Sequence, residues 1–252
     1  MKKQNVMRKQ ISVRTLWDEN KTLYLRFIDS FQYLWTCFWA RYSGISLFGR
    51  FAARLASLTA PPHIAGDMLP GKTRCGFFIA PSATIYHSKL WLSRGVYISD
   101  RVIIYQNKFQ GIIGGDIVID KNVRILRDSI LETGQEGCIT IGEGTWIHPR
   151  CQINAYKSSI EIGKRVDIAA NCALYSYDHG VKAGKWTIEQ PLTSKGPIII
   201  EDGVWLGFGV IVLSGVHIGK GAVIGAGSIV TKNIPDNAVA VGSPAKVIKM
   251  RE

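Results

Sequence analysis

Histidines are the residues of this sequence best suited to move a proton near neutral pH, and five are spread along the chain. An imidazole titrates near pH 6.5, which suits acid–base chemistry. His179 stands directly after Asp178 in a long polar stretch, where a carboxylate could orient the ring or stabilise its charge. Neighbours in an extended segment point to opposite sides, so a group elsewhere could serve instead. A lone loop histidine is by default a solvated residue, and this pair therefore needs support from the surrounding sequence.

The other histidines and the cysteines form no metal-binding pattern. His148 and His217 each adjoin an aliphatic residue predicted to point inward, so both should face solvent, and His63 and His87 lie in irregular sequence. Zinc needs Cys, His or carboxylate ligands that converge. The cysteines are odd in number and lack paired spacing: Cys37, Cys75, Cys138, Cys151 and Cys172. We expect free thiols in a reducing compartment and no metal.

A period of six residues organises the sequence that must position these side chains. From Ile200 to Ile248 an aliphatic residue recurs at every sixth position: Ile200, Leu206, Val212, Ile218, Ile224 and Val230. Four residues after each stands a small or β-branched residue: Val204, Val210, Val216, Ala222, Ser228 and, where the run breaks, Ile234. A period of six fits neither a helix nor a simple strand, and it is typical of parallel β-helices. Each hexad should supply a strand and a turn, and three hexads should close one triangular coil.

The same register begins earlier in the chain and predicts about seven coils. It places inward residues at Ile79, Ile85, Ile98, Ile104, Ile119, Ile125, Ile141, Ile147, Ile153, Ile162, Ile168 and Leu174. Interruptions occur near residues 106–115, 132–137 and 156–159, and the longest lies between Leu174 and Ile200. Stacked at the sheet spacing, the coils would form one prism ~35 Å tall. We predict an all-β domain at residues 77–252, with an excursion loop at 175–199 and a C-terminal tail.

Residues 1–76 read as a separate basic, amphipathic helical segment. Residues 1–60 carry ten Lys or Arg and three Asp or Glu, which is +7 of the +12 net charge. Apolar residues follow a helical period over Lys21 to Tyr42 and again over Leu47 to Leu58. One interpretation is a helical hairpin that caps the lower end of the solenoid. The other, compatible with it, is peripheral contact with an anionic membrane.

The sequence also bounds partners and location. No nucleic-acid-binding motif accompanies the basic charge, so no nucleic acid is expected. The first twenty residues lack the apolar core of a signal peptide. The longest uncharged aromatic-rich run, Phe31 to Ala40, has ten residues, whereas a membrane-spanning helix needs about 20. We expect a cytoplasmic protein, and a position at the inner face of the membrane is the alternative that the basic N-terminal segment leaves open.

Three blocks together resemble one protein family: IAANCALYSYDHG with the loop that follows, PIIIEDGVWLG, and GAVIGAGSIVTKNIPDNAVAVGSPAKVIK. They resemble the hexapeptide-repeat acyltransferases, and look closest to bacterial enzymes that acetylate exopolysaccharide or lipopolysaccharide sugars. The resemblance covers about Ile141 to Ile248. It implies a left-handed parallel β-helix, a handedness that composition does not indicate. It also implies a homotrimer whose active sites lie between neighbouring prisms.

The resemblance carries roles to residues near the acceptor. His179 occupies the position of the general base that removes the proton from a sugar hydroxyl, with Asp178 beside it. Trp205, in VWLG, matches a Trp that helps to build the acceptor or pantetheine site. Asn154 falls near an Asn that binds the acceptor. The oxyanion would be held by backbone amides, for which Gly207 and Phe208 are the matching residues.

The resemblance also implies acetyl-CoA as co-substrate, bound along the last coils. Gly225 and Ala226 present backbone with little side-chain bulk, beside which a pantetheine arm could lie. Basic and polar residues near the C-terminus would meet the nucleotide phosphates: Thr231, Lys232, Lys246, Lys249 and Arg251.

The predicted function is an acetyl-CoA-dependent O-acetyltransferase acting on a sugar or glycolipid hydroxyl, in exopolysaccharide, capsule or lipopolysaccharide biosynthesis. A xenobiotic O-acetyltransferase and a non-catalytic scaffold or binding module remain alternatives. A zinc carbonic anhydrase would need three converging histidines, which five scattered ones do not supply. A nucleotidyltransferase would need a nucleotide-binding domain, for which sixty N-terminal residues are too few.

Overall fold

The hexad register folds into a triangular prism whose three sides are parallel sheets. The computed structural model describes Phe31 and residues 34–58, 63–64, 67–68, 76–109 and 112–252. Expectations that fall on residues 1–30, on Cys75 and on the other residues outside these ranges therefore lie beyond the described structure. Among the described residues, no helix is long and apolar enough to cross a membrane.

Side 1 is a nine-stranded sheet and side 2 a seven-stranded one. The strands of side 1 are β3 (Phe78–Ile79), β6 (Tyr97–Ile98), β11 (Arg124–Ile125), β14 (Trp146–Ile147), β17 (Asp167–Ile168), β22 (Trp205–Leu206), β25 (Val223–Ile224), β27 (Ala238–Val241) and the antiparallel β28 (Lys246–Met250). The strands of side 2 are β4 (Thr84–Tyr86), β7 (Ile103–Gln106), β12 (Ile130–Thr133), β15 (Gln152–Ala155), β18 (Ala173–Tyr175), β23 (Ile211–Val212) and β26 (Ile229–Val230).

Side 3 has six strands, and three short hairpins lie outside the prism walls. The strands of side 3 are β5 (Leu90–Leu92), β10 (Ile117–Ile119), β13 (Ile139–Ile141), β16 (Ile160–Ile162), β21 (Ile198–Ile200) and β24 (His217–Ile218). The hairpins are β1 (His63–Ile64) with β2 (Asp67–Met68), β8 (Lys108–Phe109) with β9 (Ile112–Ile113), and β19 (Asp178–His179) with β20 (Leu192–Thr193). A 3-10 turn covers Thr187–Glu189.

The prism has the seven coils that the sequence predicts. Six coils place one strand on each side, and the seventh closes on side 3 through a single bridge between Ile218 and Ile234. The predicted inward residues are buried in one continuous core, with the exception of the half-buried Ile85 in the first coil. Cys151 and Cys172 occupy inward slots as free thiols. The predicted fold class, an all-β left-handed parallel β-helix with an N-terminal helical segment, is confirmed.

The breaks in the hexad register fall at one corner of the prism. The excursion after β18, the β8–β9 hairpin and the shorter insertions after β12 and β15 all connect side 2 to side 3. Every other turn stays short, because the stacked core leaves no freedom to lengthen a wall. Additional side chains therefore accumulate at the corner between sides 2 and 3.

Two helices lie against side 1 of the first coils. Residues 34–40 are helical (α1), and α2 spans Leu47–Ala56. The buried residues of α2 are small, and they pack on Phe78 and Tyr97, whose rings point out of side 1 and stack 5.6 Å apart. The cap over the lower end of the prism stays a prediction, and the helix pair covers the outer face of side 1 at the first coils. The reason is that Phe78 and Tyr97 occupy outward positions and need apolar cover.

Candidate active site

His179 sits in the hairpin that opens the excursion loop. β19 pairs antiparallel with β20, so that His179 lies opposite Leu192. The imidazole is exposed, and its nearest aromatic neighbour is Tyr177, with ring centroids 6.4 Å apart at 62°. The hairpin therefore presents the ring at the surface, where sides 2 and 3 meet.

The histidines with described side chains differ in whether their rings have partners. His87 Nε2 lies 2.9 Å from Thr133 Oγ1, His148 Nε2 lies 3.1 Å from Asp167 Oδ1, and His217 Nε2 lies 2.7 Å from Glu201 Oε1. Of these four side chains, only that of His179 has no hydrogen bond or ion pair. Its ring nitrogens are available to a substrate.

Asp178 has a structural partner. Its Oδ2 accepts a hydrogen bond of 2.5 Å from Ser214 Oγ, in a turn of the following coil. The carboxylate therefore points away from the ring of His179, as expected for neighbours in an extended segment. Asp178 fixes the hairpin to the prism and does not orient the imidazole directly.

Two further contacts hold the excursion loop. Ser194 Oγ donates to the carbonyl of Ser176 at 2.6 Å, across the base of the loop. The buried Gln190 side chain accepts from the amide of Lys182 and donates to the carbonyls of Lys182 and Lys185, at 2.8 to 3.1 Å. The loop is thus anchored at its base and in its interior, and His179 has a defined position.

Below His179 lies a polar aromatic patch, here called the tyrosine surface and made of Glu132, Tyr156, Tyr175 and Tyr177. The Tyr156 hydroxyl donates to the Glu132 carboxylate and accepts from Asn107 Nδ2 at 2.9 Å. The ring of Tyr177 lies 5.0 Å from that of Tyr156 and 5.8 Å from that of Tyr175. The tyrosine surface thus leads from Glu132 to the imidazole.

Burial raises the pKa of two phenols of the tyrosine surface, Tyr156 and Tyr177. Burial, and then the hydrogen bond to Glu132, raises the pKa of Tyr156, while burial and the charge of nearby groups raise the pKa of Tyr177. Tyr156 is therefore a permanent donor to Glu132 at physiological pH. Its ring lies directly over Gly134, where a Cβ would come within 1.8 Å of the ring.

Asn154 lies inside the same surface. On adjacent strands of side 2 it is in register between Glu132 and Tyr175. The side chain is 9% exposed, and within the described residues its Oδ1 has no hydrogen-bond partner. A buried acceptor without a donor costs about 1–3 kcal/mol. Such an atom is suited to receive a hydrogen bond from a ligand hydroxyl.

Trp205, Gly207 and Phe208 belong to side 1 and to its corner with side 2. Trp205 on β22 is 50% exposed, and Phe208 in the next turn is 55% exposed. The Gly207 amide already donates to the Ile224 carbonyl at 2.8 Å, as part of the hydrogen bonding between coils. It is therefore not free to donate to an oxyanion. Among the described contacts the Phe208 amide has no acceptor, which leaves one of the two predicted donors.

The predicted CoA residues fall into two places. Gly225 and Ala226 form the side 1 to side 2 turn of the last coil, and Gly225 adjoins Val241, which pairs with Lys246. A Cβ added at the neighbouring Gly227 would meet nothing within 4 Å, so this corner has room for an extended chain. Lys249 lies further along β28, the edge strand that begins at Lys246. Arg251 follows that strand, and its Nη1 donates to the Gly221 carbonyl.

Thr231 and Lys232 lie apart from that group. Both are exposed in the turn that follows β26, which is the corner between sides 2 and 3. Within one chain, the predicted residues therefore divide between two corners. Asn154, Asp178 and His179 belong to side 2 and its far corner, whereas Trp205, Phe208, Gly225 and Ala226 belong to side 1 and its turns. Among the described residues, no group of three His, Cys, Asp or Glu could hold a metal ion.

Sequence reasoning missed Glu132, Tyr156 and Tyr177. Each stands at or beside an interruption of the hexad register on the same corner as His179. The interruptions occur at the same corner in successive coils. Assigning each one to its coil in the sequence would have shown that they lie above one another. That alignment was the available signal.

Comparison with known proteins places the chain. The family described as bacterial transferase hexapeptide (six repeats) matches residues 197–232. The galactoside O-acetyltransferase of Escherichia coli is 35% identical over 142 residues, which cover 49% of this chain and 68% of that protein. The enzyme of the same name from Lactococcus lactis is 68% identical over 50 residues, covering 20% and 24% of the two chains. The crystal structure of a maltose O-acetyltransferase from Clostridium difficile is 34% identical, covers 56% of this chain and 70% of that one, and superposes with a TM-score of 0.40.

Several of the curated relatives are longer than the matched region. The chain spans 44%, 39% and 46% of relatives from Schizosaccharomyces pombe, Mycobacterium tuberculosis and Saccharomyces cerevisiae. The identity with the E. coli enzyme, over two thirds of that enzyme, is sufficient to assign the family. The chain belongs to the hexapeptide-repeat acyltransferase family.

The anchor at Asp178 gives the first prediction. Ser214→Ala removes the hydrogen bond to the Asp178 carboxylate, and such bonds to charged groups contribute about 1.5–3 kcal/mol. Amide hydrogen exchange in the segment 178–193 should then become about tenfold faster or more. Ser159→Ala is the control, because the Ser159 hydroxyl bonds only the nearby Glu161 at 2.9 Å. Equal exchange in wild type and Ser214→Ala would show that Asp178 does not anchor the hairpin.

Proposed function

We propose that this protein is an acetyl-CoA-dependent O-acetyltransferase whose general base is His179 and whose acceptor is a sugar hydroxyl. The observation that carries the proposal is the unpartnered, exposed imidazole of His179, held in an anchored hairpin above the tyrosine surface. Family membership supports the reaction class, and two relatives are named galactoside O-acetyltransferases.

The tyrosine surface supports a sugar as acceptor. Polyhydroxylated rings offer hydroxyls for hydrogen bonds and C–H faces that rest on aromatic rings. Tyr177 offers such a ring beside His179, Glu132 offers a carboxylate, and Asn154 Oδ1 offers a buried acceptor without a donor. A site built to bond a hydroxyl discriminates strongly against molecules that lack it.

The chemistry assigned to this chain is proton transfer and charge stabilisation. A ring nitrogen of His179 takes the proton from the acceptor hydroxyl as its oxygen attacks the acetyl carbonyl carbon. The Phe208 amide is the donor for the oxyanion that forms there. When the C–S bond breaks, the imidazolium returns its proton to the sulfur, and an O-acetyl ester and a free thiol result. Acetyl-CoA supplies the activated acetyl group.

The last coils fit the co-substrate. The open backbone at Ala226 and Gly227 would accept a pantetheine arm, and Lys246 and Lys249 on the adjacent edge strand would meet phosphates. Both lysines are exposed, so they can approach a phosphate freely. Trp205 would line the same cleft from side 1.

A homotrimer would complete the site. The base, Asn154, Thr231 and Lys232 lie on side 2 and its corner with side 3, whereas Trp205, Phe208 and the other proposed CoA residues lie on side 1 and its turns. Packing of one chain against the next allows the first corner of one protomer to face the second corner of its neighbour. A closed ring of three satisfies this head-to-tail contact in every protomer.

We further propose that the acceptor belongs to exopolysaccharide, capsule or lipopolysaccharide biosynthesis. Acetyl-CoA is an intracellular metabolite, so the reaction would occur in the cytoplasm, and a glycolipid acceptor would place it at the inner face of the membrane. A xenobiotic acceptor would lack the series of hydroxyls that the tyrosine surface could bond. A scaffold would neither bind CoA nor depend on His179.

Replacement of the base is the direct test. His179→Ala should lower kcat by about 10²–10⁴, the usual contribution of general-base catalysis. KM for acetyl-CoA should change little, because the proposed CoA contacts lie on the last coils. The wild-type rate should rise with pH, because only the neutral ring can accept the proton. Thiol release would be measured from pH 5 to 9 with a panel of sugar acceptors.

His148→Ala is the matched control for that measurement. Its ring nitrogen lies 3.1 Å from Asp167 Oδ1 at the surface of side 1, away from the excursion loop, so the rate should stay near that of wild type. An unchanged kcat and pH profile in His179→Ala would refute the assignment of the base.

The tyrosine surface is tested through acceptor affinity. Tyr156→Phe removes the hydroxyl that joins Glu132 to Asn107 and should raise KM for the acceptor about tenfold, equivalent to about 1.4 kcal/mol. KM for acetyl-CoA should stay within about twofold, since uniform loss of binding to one substrate leaves the other unaffected. Tyr86→Phe, on the exposed first coil, is the control. A parallel rise in both KM values would mean general damage and not acceptor binding.

Oligomeric state tests the shared site. Light scattering of the purified protein should give three times the mass of one chain. Mixing inactive His179→Ala with an inactive variant of the CoA corner, Ala226→Trp, should restore activity, because some interfaces then combine an intact base with an intact CoA corner. A fully active monomer, or mixtures that stay inactive, would contradict a site shared between protomers.

A further inference from the structure

The helical hairpin of residues 34–56 has two unlike faces, and only one packs on the prism. The packed face of α2 consists of small residues at helical spacing: Gly49, Ala52, Ala53 and Ala56. Of these, Ala53 and Ala56 lie against Phe78, Ala80 and Tyr97 of the first two coils, and Gly49 faces the Gly44 backbone in the turn between the helices. Small residues allow the helix backbone to approach the sheet closely.

A partly buried arginine fixes this orientation. The Arg50 guanidinium donates to the carbonyls of Ala80, Pro81 and Ala83 at 2.9, 2.7 and 2.6 Å. These three bonds tie α2 to the first turn of the prism. The small-residue face therefore cannot exchange with the opposite face without breaking them.

The two helices are also locked to each other. Trp35 Nε1 donates to the carbonyl of Leu55 at 2.7 Å, and Thr36 Oγ1 donates to that of Ala56 at 3.1 Å. The end of α2 is thus bonded by side chains of α1. The outward faces of both helices consequently form one fixed surface.

That surface is strongly apolar and is here called the aromatic ridge. It consists of large side chains that are 54% to 92% exposed: Phe31, Leu34, Phe38, Ile45, Leu47, Phe48, Phe51 and Leu58. Ring contacts of Tyr42 with Phe38 at 5.5 Å and with Phe48 at 6.5 Å join the two helices across the ridge. Exposed apolar side chains that lie together and are flanked by charged residues mark surfaces of interaction with other molecules or membranes.

The charge around the aromatic ridge is of one sign. Residues 31–58 contain three arginines and no acidic residue, and Arg41 and Arg54 are exposed beside the ridge. The sequence that precedes Phe31 adds seven Lys or Arg against three Asp or Glu. A second copy of the same surface would bring these cations together, whereas an anionic surface would complement them.

We propose that the aromatic ridge docks the protein peripherally on an anionic lipid bilayer. Aromatic and aliphatic side chains enter the boundary between headgroups and acyl chains, while nearby cations meet lipid phosphates and carboxylates. The hairpin lies in the interface and does not span it. This inference concerns a surface remote from His179 and holds whether or not the chain transfers acetyl groups.

Flotation of the full chain with vesicles tests the inference. The vesicles are phosphatidylcholine with 30% phosphatidylserine, or phosphatidylcholine alone. Wild type should float with the anionic vesicles, and the floating fraction should fall in 0.5 M NaCl because salt screens the charges. Phe48→Glu/Phe51→Glu should lower the partition coefficient about tenfold or more. Leu47→Glu, at the most exposed position of the ridge, should lower it in the same direction.

A matched control replaces two equally exposed apolar side chains outside the aromatic ridge. Val181→Glu/Ile188→Glu replaces two side chains of the excursion loop that are 86% and 88% exposed, and it should float like wild type. Circular dichroism would establish that each variant is folded.

Three results would overturn the inference. If wild type does not float, or floats equally with neutral vesicles, the protein does not bind specifically to an anionic bilayer. If the ridge variants float like wild type, the aromatic ridge is not the surface that binds the bilayer. Ridge variants with a smaller mass in light scattering and unchanged flotation would assign the ridge to contact between copies. Acetyl transfer to a soluble sugar is assayed in parallel, so that failure of the proposed enzyme activity is seen separately.

Discussion

The stacking of one inward aliphatic side chain on the next is the interaction on which this structure depends. Ile125, Ile147, Ile168, Leu206 and Ile224 follow one another on adjacent strands of side 1, each removed from water. A shift of one residue in any wall would turn its inward side chains to solvent. The walls therefore cannot vary in length, and variation is confined to corners. The corner between sides 2 and 3 receives nearly all of it.

The restriction of insertions to the corners explains where the candidate active-site residues lie. A wall offers only outward side chains at fixed spacing, whereas a corner insertion can project groups away from the prism. The excursion loop carries His179 outward, and Asp178 returns to the next coil to bond Ser214. Shorter insertions in lower coils bring Asn107 and Tyr156 to the same edge. The candidate site is thus a column of interruptions in successive coils, aligned because the coils are aligned.

The sequence predicted the features that follow from period and motif, and missed those that depend on contacts between coils. The inward-pointing aliphatic residues could be predicted, because a spacing of six residues determines which position of each hexad faces the core. The partner of Asp178 was not, since Ser214 lies 36 residues later with no local mark. Gly207 was taken as a donor, yet its amide belongs to the ladder with Ile224, a pairing known only once the coils are in register. The contact of α2 with the outer face of side 1 was not predicted, because the outward, apolar positions of Phe78 and Tyr97 were not weighed.

The faces of α2 show how one short segment can meet two different demands. Contact with a sheet requires closeness, which Ala53 and Ala56 provide against Phe78 and Tyr97, while Gly49 allows the Gly44 backbone of the interhelical turn to approach α2. If the helix served only to cover Phe78 and Tyr97, its other face would be expected to be polar. It carries Leu47, Phe48 and Phe51 instead, all exposed. Exposed apolar side chains forgo the free energy that burial would provide. Their presence on this face is best explained by a surface that covers them.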